Sequence, residues 1–126
     1  MRRLLGVAVA LALAVIVVAG CGSGSNAFPT GKWTGTGPAG EVAVMEYGSD
    51  GKWSLSIDGI VDTSGTYSTD ANTFTFLTDT YCKGQGAEQG TYTWASENNQ
   101  LTFKKQTDAC DARIGAVSGG AWTPVK

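Results

Sequence analysis

From Gly31 onward apolar and polar residues alternate at every second position, and glycine, asparagine and aspartate interrupt the alternation at short intervals. A period of two is the mark of half-buried β-strands, and the interruptions mark tight turns. The clearest case lies between Lys52 and Ile57, where Trp53, Leu55 and Ile57 share one face and Lys52, Ser54 and Ser56 share the other. The same reading predicts strands over 31–36, 41–47, 60–68, 73–77, 90–95, 100–105 and 121–125. Asp58-Gly59 has the chemistry of a two-residue hairpin turn, since glycine supplies a positive φ at little cost. Turns are also expected around Asp50, Asp70 and Glu97, where carboxylates favour turn formation. Residues 78–89 make the longest connection. One helix is expected over 108–117, capped by Asp108 and with Asp111 in its first turn, which places Cys110, Ile114 and Val117 on one face.

An internal echo supports this division. Gly65-Thr66-Tyr67 leads through a turn to Phe74-Thr75-Phe76, and Gly90-Thr91-Tyr92 leads through another to Leu101-Thr102-Phe103. The expected fold class is all-β: a small up-and-down antiparallel barrel of about eight strands with one short helix near the C-terminus. A β-sandwich is the alternative arrangement. Closure into a barrel removes exposed strand edges.

The N-terminal 20 residues have a different pattern. Met1-Arg2-Arg3 is basic, an apolar run follows to Ala19, and Val18-Ala19-Gly20-Cys21 precedes a Gly/Ser stretch. This is the layout of a secretory signal peptide, although the run also approaches the length of a membrane span. Val-Ala-Gly-Cys resembles a bacterial lipobox, which implies cleavage before Cys21 and lipidation of its thiol. On that reading residues 1–20 are signal peptide, 21–30 a flexible tether and 31–126 the folded domain, anchored by lipid on the extracytoplasmic side of a bacterial cell envelope.

Charge and cysteines narrow the chemistry. After residue 20, seven basic residues face eleven acidic ones, a net charge of −4, so the basic footprint of a nucleic-acid binder is missing. Cys82 and Cys110 are left once Cys21 is assigned to lipid, and in an exported domain two such cysteines are expected to pair. The chain contains no histidine, which removes the usual general base and the commonest metal ligand. No glycine-rich phosphate loop precedes a helix. No metal, cofactor or enzymatic activity is expected, although Asp111 and Arg113 form a minor candidate site.

Gly31-Lys32-Trp33, the Gly-Thr-Tyr hairpins and a late arginine together resemble the lipocalin (calycin) superfamily. Gly90-Thr91-Tyr92-Thr93-Trp94, Leu101-Thr102-Phe103 and Asp108-x-Cys110-x-x-Arg113 are also similar to a group of small bacterial lipocalin-like secreted proteins. The resemblance implies that Trp33 closes the base of the barrel and that Arg113 packs across its ring in a cation–π contact.

Two functional expectations follow. A barrel of this size can hold one small ligand, and the candidate lining for an apolar or amphipathic molecule is Trp53, Leu55, Ile57, Phe74, Phe76, Tyr92, Trp94 and Phe103. Alternatively those side chains fill the interior, and the domain is an envelope structural or protein-interaction module. Tyr81 to Arg113 gathers cysteines, aromatics, aspartates and an arginine, and reads as the clasp of the barrel, with any ligand lying between it and Trp53, Phe74 and Phe76.

Overall fold

A computed structural model describes residues 27–126 of the chain; the expected signal peptide, Cys21 and most of the tether lie outside the described residues. Eight strands follow in order: β1 (Gly31–Thr36), β2 (Val42–Tyr47), β3 (Lys52–Ile57), β4 (Ile60–Asp70), β5 (Thr73–Phe76), β6 (Gly90–Glu97), β7 (Gln100–Asp108) and β8 (Thr123–Pro124). Two helices interrupt them, α1 (Thr80–Lys83) after β5 and α2 (Asp111–Ser118) after β7. Neighbours pair antiparallel in the order β7-β6-β5-β4-β3-β2-β1-β8, an up-and-down meander that curls into a barrel-like sheet. Its two ends meet where Leu101 and Trp122 exchange backbone hydrogen bonds of 2.8 Å.

The turns behave as their chemistry dictates. Asp58 and Gly59 both adopt positive φ (49° and 83°), and Asn98 and Asn99 do the same (52° and 58°), which matches the right-handed twist of the flanking strands. Strands β6 and β7 run longer than the alternation suggested, because this tight turn lets pairing continue from Glu97↔Gln100 to Gly90↔Asp108. The last strand is shorter than expected, since only Thr34↔Thr123 and Trp33↔Pro124 pair with β1.

The glycines of the two echoed Gly-Thr-Tyr segments have a common physical cause. Gly65 stands opposite Trp53, and the Thr78 carbonyl crosses over it, 1.8 Å from where a Cβ would lie. That carbonyl accepts a 3.1 Å hydrogen bond from Trp53 Nε1. Gly90 stands opposite Phe76 on one side and Asp108 on the other. Here a Cβ would lie 2.6 Å from the Arg113 guanidinium. At both positions the strand must be bare because another part of the chain passes over it.

One end of the barrel is filled. Tyr47, Tyr67, Phe74, Trp94 and Phe103 converge there, and the ring at their centre is Phe28, whose centroid lies 4.9 Å from those of both Tyr47 and Phe74 and 5.3 Å from that of Trp94. Edge-to-face pairs dominate, as the ring quadrupole favours. Among the described residues the Tyr47 hydroxyl has no hydrogen-bond partner, and burial pushes its pKa well above the ordinary phenol value. The expectation of a flexible tether as far as residue 30 is thereby corrected. Burial of Phe28 (8% exposed) draws the segment into the core, and Trp33 Nε1 holds it by donating to the Pro29 carbonyl at 3.0 Å.

Truncating a buried phenylalanine typically costs about 3–5 kcal/mol. Phe28→Ala should therefore lower the urea-unfolding free energy by about 3 kcal/mol, whereas a loss below roughly 0.5 kcal/mol, the size expected at a surface site, would return this residue to the tether.

Candidate ligand-binding cavity

The opposite end of the barrel is open. It contains a cavity of about 940 Å³ whose apolar wall includes Met45, Trp53, Leu55, Phe76, Val117 and Trp122. Helix α2 forms one side of it. Ala112, Gly115, Ala116 and Gly119 follow the spacing of one helical face and all line the space. At Gly115 a side chain would enter open space, whereas at Gly119 it would meet the Gly115 carbonyl.

What holds α2 in place is Arg113, which is buried at 4% exposure. A buried guanidinium must satisfy five N–H groups, and all five find acceptors. Nε donates to Asp108 Oδ2 at 2.7 Å and Nη2 to Asp108 Oδ1 at 2.7 Å, the bidentate fork that suits a carboxylate. Nη2 also donates to the Ala87 carbonyl at 3.1 Å, while Nη1 donates to the Glu88 carbonyl at 2.8 Å and to Asp79 Oδ2 at 3.3 Å. The guanidinium carbon lies 5.2 Å from the centre of the Phe76 ring.

The two carboxylates are equally well supplied. Asp79 caps α1 by accepting from the backbone N–H groups of Tyr81 and Cys82 at 3.0 and 3.1 Å, and it accepts from the Thr63 hydroxyl at 2.7 Å. Asp108 accepts from the Cys110 N–H at 2.9 Å and from the Tyr92 hydroxyl. Burial alone would raise the Asp108 pKa, but the hydrogen bonds from Arg113, Tyr92 and Cys110 outweigh it and hold the group below the ordinary carboxylate range. Burial and the Asp108 hydrogen bond both push the Tyr92 phenol well above its usual value. For Arg113 the penalty of burial is overcome by Asp108 and then by Asp79, so its pKa is raised.

A covalent bond doubles this clasp. Cys82 in α1 and Cys110 at the start of α2 form a disulfide with Cα atoms 5.9 Å apart, as the cysteine count anticipated. The expected contact between Trp33 and Arg113 is not formed. Arg113 instead sits over Phe76, because the bare Gly90 between Phe76 and Asp108 leaves room for the ion pair of the guanidinium with the Asp108 carboxylate. Asp108 acts on Arg113 and Cys110 and is not the residue at the helix cap, which is Cys110.

The expected ligand lining divides between the two ends. Trp53, Leu55, Ile57 and Phe76 line the cavity, whereas Phe74, Trp94 and Phe103 surround Phe28 in the filled end. Tyr92 belongs to neither, being fully buried with its hydroxyl on Asp108. Alternation in β2 could have flagged Ala43 and Met45, which line the cavity, since both share the face of Tyr47. Asp79 carried a helix-cap signal, Asp-Thr-Tyr-Cys, within a segment too short for periodicity to be read.

No family model, curated protein or solved structure matches this chain. Among the described residues no three His, Cys, Asp or Glu side chains are grouped to hold a metal ion, and no helix is long and apolar enough to cross a membrane.

Closing a loop with a sequence separation of 28 residues contributes about 3.5 kcal/mol in the chain-entropy model. Reduction, or the Cys82→Ser/Cys110→Ser pair, should thus lower the melting temperature by several degrees in calorimetry; an unchanged value would show that the link carries no stability. Asp108 gives a pH signature. Its folded pKa lies below that of the unfolded chain, about 3.9, so its contribution is present above that pH and is lost as the pH falls through the folded value. Asp108→Asn should flatten the acid limb of a plot of stability against pH below about 4, and an unaltered limb would count against the clasp.

Proposed function

We propose that this protein is a lipid-anchored bacterial envelope protein that binds a small apolar or amphipathic molecule in the open end of a lipocalin-like barrel, without chemical conversion. The observation that carries this reading is the cavity of about 940 Å³ walled by Met45, Trp53, Leu55, Phe76 and Trp122. That volume falls within the range of small-molecule sites, roughly 300–1,000 Å³, and a mainly apolar wall with few polar groups is their usual composition.

The path of the chain supports the anchored reading. It enters the barrel at the filled end, where Phe28 is buried and Gly31 pairs with Tyr47, while the cavity lies beyond the other end of β1 at Gly35 and Thr36. Six residues lie between Cys21 and Phe28, a reach of about 25 Å at most. A lipid on Cys21 would keep the filled end toward the membrane and turn the mouth outward. Val42, Ile60 and Val61 are 59%, 75% and 62% exposed beside the β3–β4 turn at that mouth, and they favour a second reading in which this rim is a docking surface for another envelope protein.

A chain beginning at Gly22 retains the core cluster, the clasp and the disulfide, and a cooperative melt verifies its folding. Titrated with the neutral fluorophore N-phenyl-1-naphthylamine, it should show saturable one-to-one binding and a change in tryptophan emission from Trp53 and Trp122. Ala116→Trp, which places a large ring in the space, should abolish that signal without loss of the melt. Absence of binding to the native chain would discard the cavity reading and leave the docking reading.

A further inference from the structure

We infer that the cavity selects amphipathic molecules with a cationic polar end and rejects those headed by a carboxylate. This inference rests on the cavity-binding reading above. It begins with the charged residues that line the space: Glu41, Asp62, Asp79, Asp111 and Arg113. Arg113, the one base among them, has no N–H left to offer, since Asp79, Asp108 and the carbonyls of Ala87 and Glu88 take all five. Asp79 is consumed in the same clasp, accepting from Thr63, Tyr81 and Cys82 besides Arg113.

Three carboxylates remain. Among the described residues the ion pairs are those of Arg113 with Asp79 and with Asp108, so Glu41, Asp62 and Asp111 have no basic partner. Asp62 and Asp111 are exposed and Glu41 is half-buried, which sets them at the solvent edge of an apolar space. Asp62 owes its position to a β-bulge. The register between β3 and β4 passes from Leu55↔Thr63 to Ser56↔Val61, leaving Asp62 as the extra, unpaired residue. A bulge re-aims a side chain relative to the regular alternation, and here Asp62 lines the cavity next to Thr63.

An amphipath with its chain among Trp53, Leu55 and Phe76 would bring its polar end to this edge. A carboxylate at that solvent edge would face like charge, with no free basic side chain in the lining to offset it. An ammonium would face opposite charge from the exposed Asp62 and Asp111 and from Glu41, which already accepts from the Ala39 N–H, with Tyr81 and Trp122 in the lining as aromatic surface for a cation. The net charge of −4 after residue 20 acts in the same direction at longer range.

The test compares three probes of equal chain length, decyltrimethylammonium, decanol and decanoate, each below its micellar concentration, by tryptophan fluorescence and calorimetry at neutral pH and low salt. Decyltrimethylammonium should bind at least about tenfold more tightly than decanoate, and screening should narrow the ratio as salt is raised. Asp62→Asn/Asp111→Asn, both at exposed positions, should bring the two probes close together by weakening the cation and strengthening the anion. Decanoate binding as tightly as the ammonium, or a ratio unmoved by the double variant, would overturn the charge selectivity while leaving the cavity reading intact. Failure of all three probes would overturn both.

Discussion

The structure turns on the burial of one cation. Removing a guanidinium from water is expensive, and the cost is offset only when every N–H is matched and opposite charge stands close by. Arg113 meets both conditions by recruiting Asp108 from the end of β7, Asp79 from the cap of α1, and the carbonyls of Ala87 and Glu88 from the long connection before β6. Three segments with little hydrophobic reason to meet are thereby fixed against one another. The disulfide from Cys82 to Cys110 ties two of the same segments covalently. Gly90 is bare, and Phe76 opposite it offers a ring face, because this cation needs a place to lie.

That clasp also accounts for the open space. With α2 held at the barrel's open end by Arg113 and Cys110, its alanines and glycines border the open space, and side chains this small cannot fill it. At the other end the same strands carry Tyr47, Tyr67, Phe74 and Phe103, and Phe28 completes a packed aromatic cluster. A barrel of eight strands has an interior just wide enough to be filled or to hold one small molecule. In this chain side-chain size decides between those outcomes separately at each end.

A rigid roof and a packed floor bear on function together. The residues that hold the cavity open are saturated with hydrogen bonds to one another, so they shape the space without offering it a reactive or charged group. For the ligand proposed above, what remains is an apolar wall and, at its edge, Glu41, Asp62 and Asp111, none of them in an ion pair among the described residues. This separation lets the clasp be buried and stable while the mouth stays polar and exchangeable.

Much of the fold was legible in local patterns. Alternation marked the strands, because a strand's side chains change face at every residue, and Asp58-Gly59 and Asn98-Asn99 marked hairpins because their backbone requires positive φ. The pairing of Cys82 with Cys110 followed from counting, and a clasp over Tyr81 to Arg113 followed from the gathering of its residues. Contacts between distant segments were not legible. Nothing in the local pattern told that Phe28 would leave the tether for the core, that Arg113 would choose Phe76, Asp79 and Asp108 over Trp33, or that Phe74 and Phe76, two residues apart on one face, would serve a filled end and an open one. The sequence by itself determined the strands, their turns and their order, since those depend on period and on backbone preference over a few residues. Only the tertiary structure decided which buried side chains fill space and which border it, because that depends on the volumes and charges that meet across the barrel from remote parts of the chain.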